Sequence, residues 1–437
     1  MSKIRPKILV INIHSSQNAG DAALLEEAIK SLFLLSPSEI VLATNNLDID
    51  VSKFFYTENI RVVLSFTGHF ASPNRRRVWR IDRMLWGILF SLIVLLWYRV
   101  TRRLPNWLPA VWRDSFKAYA DADLVISCPG NIFFTMGRVG LPFLVSAYTA
   151  AYALMMGKPL YVMPQSIGPL NRWWERALVR LLYSRARLIF VREPISLRLA
   201  LEIGLPRTKL HLVPDLAFAY TPASSEEATD LLKEIAGQLE GPLVGVTVIN
   251  RLIRYIDNDA WEQYEKSIAY ALSKFIGKYG GNIIFFPQVT GPTAKEDDRV
   301  AARRIIAKMG DPSYAVVIEK PLSPNLLKAT YGLMDIFVAT RMHSAIFALS
   351  MKVPTLLIGY LHKVMGLAQM LSLEEWVIDL RSVTENVFWE RLQALWLNRH
   401  TLREHLGNTV PSIETKVGEV GQIIKRDFGM VQNLLTL

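Results

Sequence analysis

Arg341 and His343 stand two residues apart, where an apolar run from Ile336 to Ala339 gives way to a helical pattern from Ser344 to Ser350. A second apolar run, Val353 to Ile358, follows, so the segment reads strand, helix, strand. In such a unit the carboxyl end of the first strand opens into the crevice where α/β proteins bind ligands. A guanidinium can grip a carboxylate or phosphate with two N–H groups, a helix N-terminus favours anions, and an imidazole titrates near neutrality. Together they suit an anionic substrate that needs a proton moved. The alternative is a buried Arg paired with an Asp beside a core His, although two ionisable groups at one strand end are costly without a use.

The elements needed to position that pair recur along the chain. Lys7 to Ile13 is a continuous apolar strand, followed by the polar run HSSQNAGD and an amphipathic helix. Gly20 permits a tight turn there and Asp21 can cap the helix, its role then being an ordinary one. The spacing is not G-x-G-x-x-G, so no dinucleotide fingerprint is present. Further apolar runs alternate with helical patterns, which implies parallel sheets. Their ends carry polar or glycine punctuation: Cys128-Pro129-Gly130-Asn131, Gln165-Ser166, Arg192-Glu193 and Pro214-Asp215. The chain divides into a first domain over 1–220, a boundary helix over 221–242 and a second domain over 243–437. LYVMPQSIGP (Leu160 to Pro169) and IIFFPQVTGP (Ile283 to Pro292) echo one another, as two similar halves would.

With 437 residues, two domains of roughly 200 residues each are expected. The single cysteine, Cys128, excludes an internal disulfide and suits a reducing cytoplasm, and MSKIRPKILVINI lacks the long apolar core of a secretory signal. The formal charge of +11 is concentrated in one insertion, 66–117. There Arg75, Arg76, Arg77, Arg80, Arg83, Arg99, Arg102, Arg103, Arg113 and Lys117 face only Asp82 and Asp114. They flank the apolar run Met84 to Tyr98 and five tryptophans, an arrangement that argues against a nucleic-acid surface. As a helix, the run would span about 22 Å, short of a ~30 Å hydrocarbon core. A peripheral helix on the cytoplasmic face of an anionic membrane fits it, and a buried hairpin helix with solvated arginines is the alternative.

Taken together, the motifs resemble the polysaccharide pyruvyl transferase family: N-A-G-D at Asn18 to Asp21, P-Q-S-I-G-P at Pro164 to Pro169, V-R-E-P-x-S at Val191 to Ser196, P-D-x-A-F at Pro214 to Phe218, R-M-H at Arg341 to His343, and G-Y-x-x-K at Gly359 to Lys363. The chain departs from the family in having Cys128-Pro129-Gly130-Asn131 where a run of glycines is common, and Met342 at the centre of the R-L-H motif. The resemblance implies two Rossmann-like domains facing across a cleft, as in GT-B glycosyltransferases, with phosphoenolpyruvate as co-substrate and a sugar or lipid-linked oligosaccharide as acceptor. It places Arg192, Arg341 and His343 at the donor; beside them, the chemistry of a ketal-forming transfer suggests Lys363, Gln165 and Ser166 as further donor contacts, His343 as general acid and Asp21 or Asp215 as base. Asn18, Gly20, Gly130 and Asn131 become cleft loops toward the acceptor. No separate cofactor and no metal is expected, since no H-E-x-x-H or D-x-D run lies near these motifs. The alternative is a GT-B glycosyltransferase that uses a nucleotide-sugar donor.

Overall fold

The computed structural model describes residues 5–13, 18–45, 59–71, 81–135, 140–236, 240–251, 256–291 and 295–435. In the first domain β1 (Lys7–Ile11), β2 (Glu39–Thr44), β3 (Ile60–Leu64), β4 (Leu124–Ser127), β5 (Gly130–Phe133), β6 (Leu160–Ile167), β7 (Leu188–Val191) and β8 (Leu210–Leu212) form one parallel sheet. Its order is β3-β2-β1-β4-β6-β7-β8, with β5 pairing on β6. In the second domain β9 (Leu243–Thr247), β10 (Asn282–Phe285), β11 (Ala315–Val317), β12 (Ile336–Ala339), β13 (Thr355–Gly359) and β14 (Val377–Asp379) form a six-stranded parallel sheet ordered β11-β10-β9-β12-β13-β14. The central strands are mostly apolar because helices cover both faces; β4, β6, β7 and β12 are buried at every residue. Strand order reverses between β1 and β4 and between β9 and β12, and the exits of β1 and β12 therefore sit at the crevices of the two sheets.

The two halves are joined by more than the boundary. An isolated bridge pairs Asn18 with Val289, and the Ala19 N–H donates to the Gln288 carbonyl at 3.4 Å. The buried ammonium of Lys328, in the helix Pro324–Tyr331, donates to the carbonyls of Ala217 (3.2 Å) and Phe218 (2.8 Å). The C-terminal helix Arg399–Leu435 crosses back onto the first domain. There Asp427 accepts from the Tyr161 hydroxyl (2.7 Å) and from Arg187 (2.8 Å), and a Cβ at Gly421 would overlap the Ser31 carbonyl. One hydrophobic core accordingly runs through both domains, while a second lies under the insertion on the outer face of the first sheet.

Four sequence expectations change. The P-Q echo falls on β6 and just beyond β10, which hold non-equivalent positions in their sheets, so it marks no structural repeat. Gly130-Asn131 belongs to the short strand β5 instead of a loop, with Gly130 at φ 132 and opposite Gln165. Asn18, whose side chain accepts from the Gly20 N–H, caps the first helix (Ala19–Leu32), and Asp21 lies inside its first turn. The insertion helix runs from Ile81 to Thr101, 21 residues, and is long and apolar enough to cross a membrane, so the argument from shortness falls. Arg75, Arg76, Arg77, Trp79 and Arg80 lie outside the described residues.

Candidate active site

The turn after β12 is held from below by hydroxyls. Thr340 and Tyr264 share a hydrogen bond of 2.8 Å, Ser344 and Thr247 one of 2.6 Å, and the Ser344 hydroxyl also donates to the Arg341 carbonyl at 2.6 Å. Arg341 keeps an extended backbone, and the helix begins at Met342, two residues earlier than the apolar pattern suggests. The Arg341 guanidinium meets Asp298 with Nε at 3.1 Å and Nη2 at 2.5 Å. Asp298 also accepts the N–H groups of Gln288 (3.2 Å) and Val289 (3.0 Å). Burial pushes its carboxyl pKa up, and Arg341 and those N–H groups offset part of the rise. Arg341 therefore has the carboxylate partner its burial requires.

From the first domain, Arg192 leaves the end of β7 and is itself buried. Its Nε donates to Ser166 Oγ at 2.8 Å and its Nη1 to Asp215 Oδ2 at 2.6 Å. Asp215 also accepts the Ala217 N–H at 3.0 Å, which fixes the turn that Lys328 anchors from the other domain. The rest of the V-R-E-P-x-S motif is scaffolding. Glu193 caps the helix Pro194–Glu202 through the Ser196 N–H and hydroxyl, and Ser196 Oγ receives the Ile167 N–H at 2.8 Å, tying the end of β6 to that helix.

The two sets of side chains meet across the cleft. His343 Nε2 lies 4.0 Å from Asp215 Oδ2. A Cβ added at Gly20 would overlap the His343 ring, so only glycine lets the imidazole lie against the first turn of the helix Ala19–Leu32. Burial lowers the His343 pKa, with Asp215 and Asp21 pulling it partly back. Lys363 is pushed down to about 8, chiefly by burial and then by Arg192, while Asp21 acts in the opposite sense. Asp21, Arg192 and Asp215 from one domain thus converge with Arg341, His343 and Lys363 from the other. Ser166 joins them through Arg192. Asn18 helps close the cleft, whereas Gly130 and Asn131 stand apart along β5.

Buried polar atoms are ordinarily hydrogen-bonded. Among the described residues nine buried side-chain N or O atoms have no partner; five of them belong to cleft residues, Gln165 (two), Gln288, His343 and His362, and a sixth to Asn131 on β5. Gln165 has the Tyr183 hydroxyl nearby, outside hydrogen-bonding geometry. No motif in the sequence singles out His362, which directly precedes Lys363. Its Nε2 lies 3.9 Å from Glu193 Oε1, and it lines a cavity of about 760 Å³ together with Thr135, Tyr360, Leu361, Asp379 and Arg381. That cavity flanks the charged cluster; Arg192, Arg341 and His343 do not line it. Among the described residues no group of three or more His, Cys, Asp or Glu is placed to hold a metal ion.

Residues 18–362 match the model of the polysaccharide pyruvyl transferase family. The chain belongs to that family. This transferase is 23% identical over 422 residues to the amylovoran biosynthesis protein AmsJ of Erwinia amylovora, a match covering 92% of this chain and 95% of AmsJ. In solved structures it is similar to the S. aureus MnaA–UDP structure, with TM-score 0.59, 11% identity and 99% and 98% of the two chains covered. It is also similar to the UDP-GlcNAc 2-epimerase of Neisseria meningitidis bound to UDP-GlcNAc, with TM-score 0.56, 13% identity and 99% of each chain covered. At such identities these two show the fold alone: the GT-B arrangement of two Rossmann-like domains.

One consequence concerns Gly20 directly. Gly20→Ala in the transferase is expected to push the His343 ring from its seat, and a loss of turnover of roughly tenfold or more is the expected sign that the ring takes part in the reaction. Circular dichroism should stay unchanged. Wild-type turnover in the folded variant would show that the ring's position does not matter.

Proposed function

We propose that this transferase moves the pyruvyl group of phosphoenolpyruvate onto two hydroxyls of one sugar in an exopolysaccharide or lipid-linked precursor, forming a ketal and releasing phosphate. The observation that supports this reading is the convergence of Arg192, Arg341, Lys363 and His343 from both domains beside two carboxylates. Phosphoenolpyruvate brings a phosphate and a carboxylate, and two guanidiniums and an ammonium match that charge. His343, protonated once the donor is bound, adds a proton to the methylene carbon and leaves an oxocarbenium at the carbon bearing the phosphate. One sugar hydroxyl adds there, the C–O bond to phosphate breaks, and the second hydroxyl closes the ketal. Of the two hydroxyl protons, one restores His343 through Asp215 or Asp21 and the other leaves on hydrogen phosphate. Incubating the protein with phosphoenolpyruvate and lipid-linked sugar extracts should release phosphate and give a product heavier by one pyruvyl group. Neither phosphate nor product from any extract would sink the proposal.

A pH dependence follows from Lys363. With its pKa near 8, the ammonium that meets the donor is lost as pH rises through that value. The kcat/KM for phosphoenolpyruvate should therefore fall above about pH 8, and Lys363→Met should lower it at pH 7 and flatten that limb. An unchanged alkaline limb in the variant would remove Lys363 from donor binding.

The same proposal places the transferase on the cytoplasmic face of a membrane through its insertion. One side of the helix Ile81–Thr101 is docked on its own domain: Val94, Leu95 and Tyr98 are buried, Ser91 Oγ meets the Tyr148 hydroxyl at 2.7 Å, and Tyr152 donates to the Ser91 carbonyl at 3.1 Å. A helix of 21 residues, about 31 Å long, could span, but this one is pinned lengthwise to a folded domain. Its outer side is an exposed apolar stripe of Leu85, Leu89, Ile93, Leu96 and Val100, with Trp86 and Trp97 alongside. Exposed Arg83, Arg99, Arg102 and Arg103 stand at its ends. Each basic side chain near an anionic surface is worth about 1 kcal/mol, and tryptophans favour the interface. Ile93→Glu with Leu96→Glu should abolish salt-sensitive sedimentation with phosphatidylglycerol vesicles. Equal binding by the wild type to neutral vesicles would leave the arginines without a role in docking, and no binding to anionic ones at low salt would assign the stripe to a protein contact.

A further inference from the structure

The transferase carries a second cavity, about 520 Å³, whose chemistry differs from that of the charged cluster. It lies over the carboxyl ends of β1 and β5 against the helix Leu141–Met155, and Asn12, Asn45, Asn131, Phe134, Phe143 and Ser146 are among its lining. None of its described lining residues carries a charge. An anion as highly charged as phosphoenolpyruvate finds no cation among those described residues, whereas amides and a hydroxyl beside aromatic rings are what a neutral sugar ring needs: hydrogen bonds around its edge and apolar contact with its C–H face.

The amides are held ready. Asn12 sits at φ 62 and is fixed from three directions: its Nδ2 donates to Ser127 Oγ (3.3 Å) and to the Ser146 carbonyl (3.4 Å), and its Oδ1 accepts from the Thr149 hydroxyl (2.7 Å). Asn45 Oδ1 takes the Thr67 hydroxyl at 2.8 Å, which turns the amide nitrogen the other way. Asn131 Oδ1 is buried with no partner, a costly condition that a sugar hydroxyl would relieve.

The cavity's place in the fold links it to both other sites. Gly130, next to Asn131, is paired in register with Gln165, and the following residue, Ser166, receives Arg192. Ser146 is two residues before Tyr148, on which the apolar insertion helix is docked. The cavity thus lies along the same sheet end as the donor cluster and beside the proposed membrane-facing helix. We infer that this asparagine-lined cavity is the acceptor subsite and that it takes a neutral glycosyl unit, with Asn131 and Asn45 as the residues that recognise its hydroxyls. The inference rests on the pyruvyl-transfer reading for its meaning, yet it can fail separately.

Saturation-transfer NMR on the full chain, with the methyl glycosides of glucose, galactose and N-acetylglucosamine and with methyl glucuronide as a charged comparator, tests it. At least one neutral glycoside should bind and the glucuronide should not. Asn131→Leu and, separately, Asn45→Ala should weaken that glycoside about tenfold, while calorimetric affinity for phosphoenolpyruvate and the thermal midpoint stay close to wild type. Failure of all three neutral glycosides to bind, equal binding of the glucuronide, or glycoside binding that survives in both folded variants would overturn the assignment. Glycoside binding lost in the variants, with no phosphate released from phosphoenolpyruvate by the wild type, would keep the subsite and sink the transfer reading instead.

Discussion

His343→Ala is expected to lower turnover by about 10²- to 10⁴-fold while the protein keeps its fold, the usual effect of removing a positioned acid. The ring is mostly buried, its Nε2 has no hydrogen-bond partner, and the nearest carboxylate oxygen, of Asp215, is 4.0 Å away. Burial lowers its pKa, so at neutral pH the resting imidazole is uncharged. On the proposed mechanism the negative charge of an arriving donor favours the charged form and raises that pKa, so proton uptake should accompany binding and load the acid only when its substrate is present. Little stability should be lost, because the ring makes no protein hydrogen bond at Nε2. Phosphate release under saturating phosphoenolpyruvate, with circular dichroism as the fold control, reads the effect. Turnover like wild type would exclude the role and leave Lys363, whose pKa lies near 8, as the acid to examine.

Much of this site was legible because a parallel sheet concentrates function at strand ends. The adjacency of Arg341 and His343 to an apolar run, and the polar residues at the end of β6 and after β7 and β8, could be read without knowing how the domains pack. Partners distant in sequence could not. Asp298 lies 43 residues from Arg341 and sits on a helix whose sequence reads as ordinary amphipathic surface. Lys328 looks like a surface lysine on the helix Pro324–Tyr331 until the first domain covers it. Glu265, buried among Arg251, Arg304 and Lys308, is likewise invisible as a network in one dimension. Hydropathy marks the insertion helix shorter than it is because the apolar run stops at charges. Asp82 and Arg83 at one end and Arg99 at the other still take helical backbone, since charged side chains at helix ends reach water at little cost. β5 escaped notice because Pro129-Gly130 reads as a turn, and only the neighbouring β6 makes it a strand.

The pairing of Arg192 with Asp215 yields the other large effect, and it separates binding from folding. Both side chains are almost fully buried and 2.6 Å apart, and Ser166 takes a second guanidinium nitrogen. Arg192→Met leaves the Asp215 carboxylate buried without its cation and should cost about 3–5 kcal/mol of stability, the typical result of breaking a buried pair from one side. Measured alone, a loss of donor affinity in that variant would therefore say little about donor contact. Adding Asp215→Asn removes the stranded charge while keeping the oxygen that caps Ala217, so the double variant should recover most of the lost stability in urea unfolding. If Arg192 holds the donor, affinity for phosphoenolpyruvate should stay at least tenfold below wild type in that refolded background, as expected for a lost charged hydrogen bond of roughly 1.5–3 kcal/mol. Recovery of donor affinity together with stability would make the pair a structural brace and leave Arg341 and Lys363 to bind the anion.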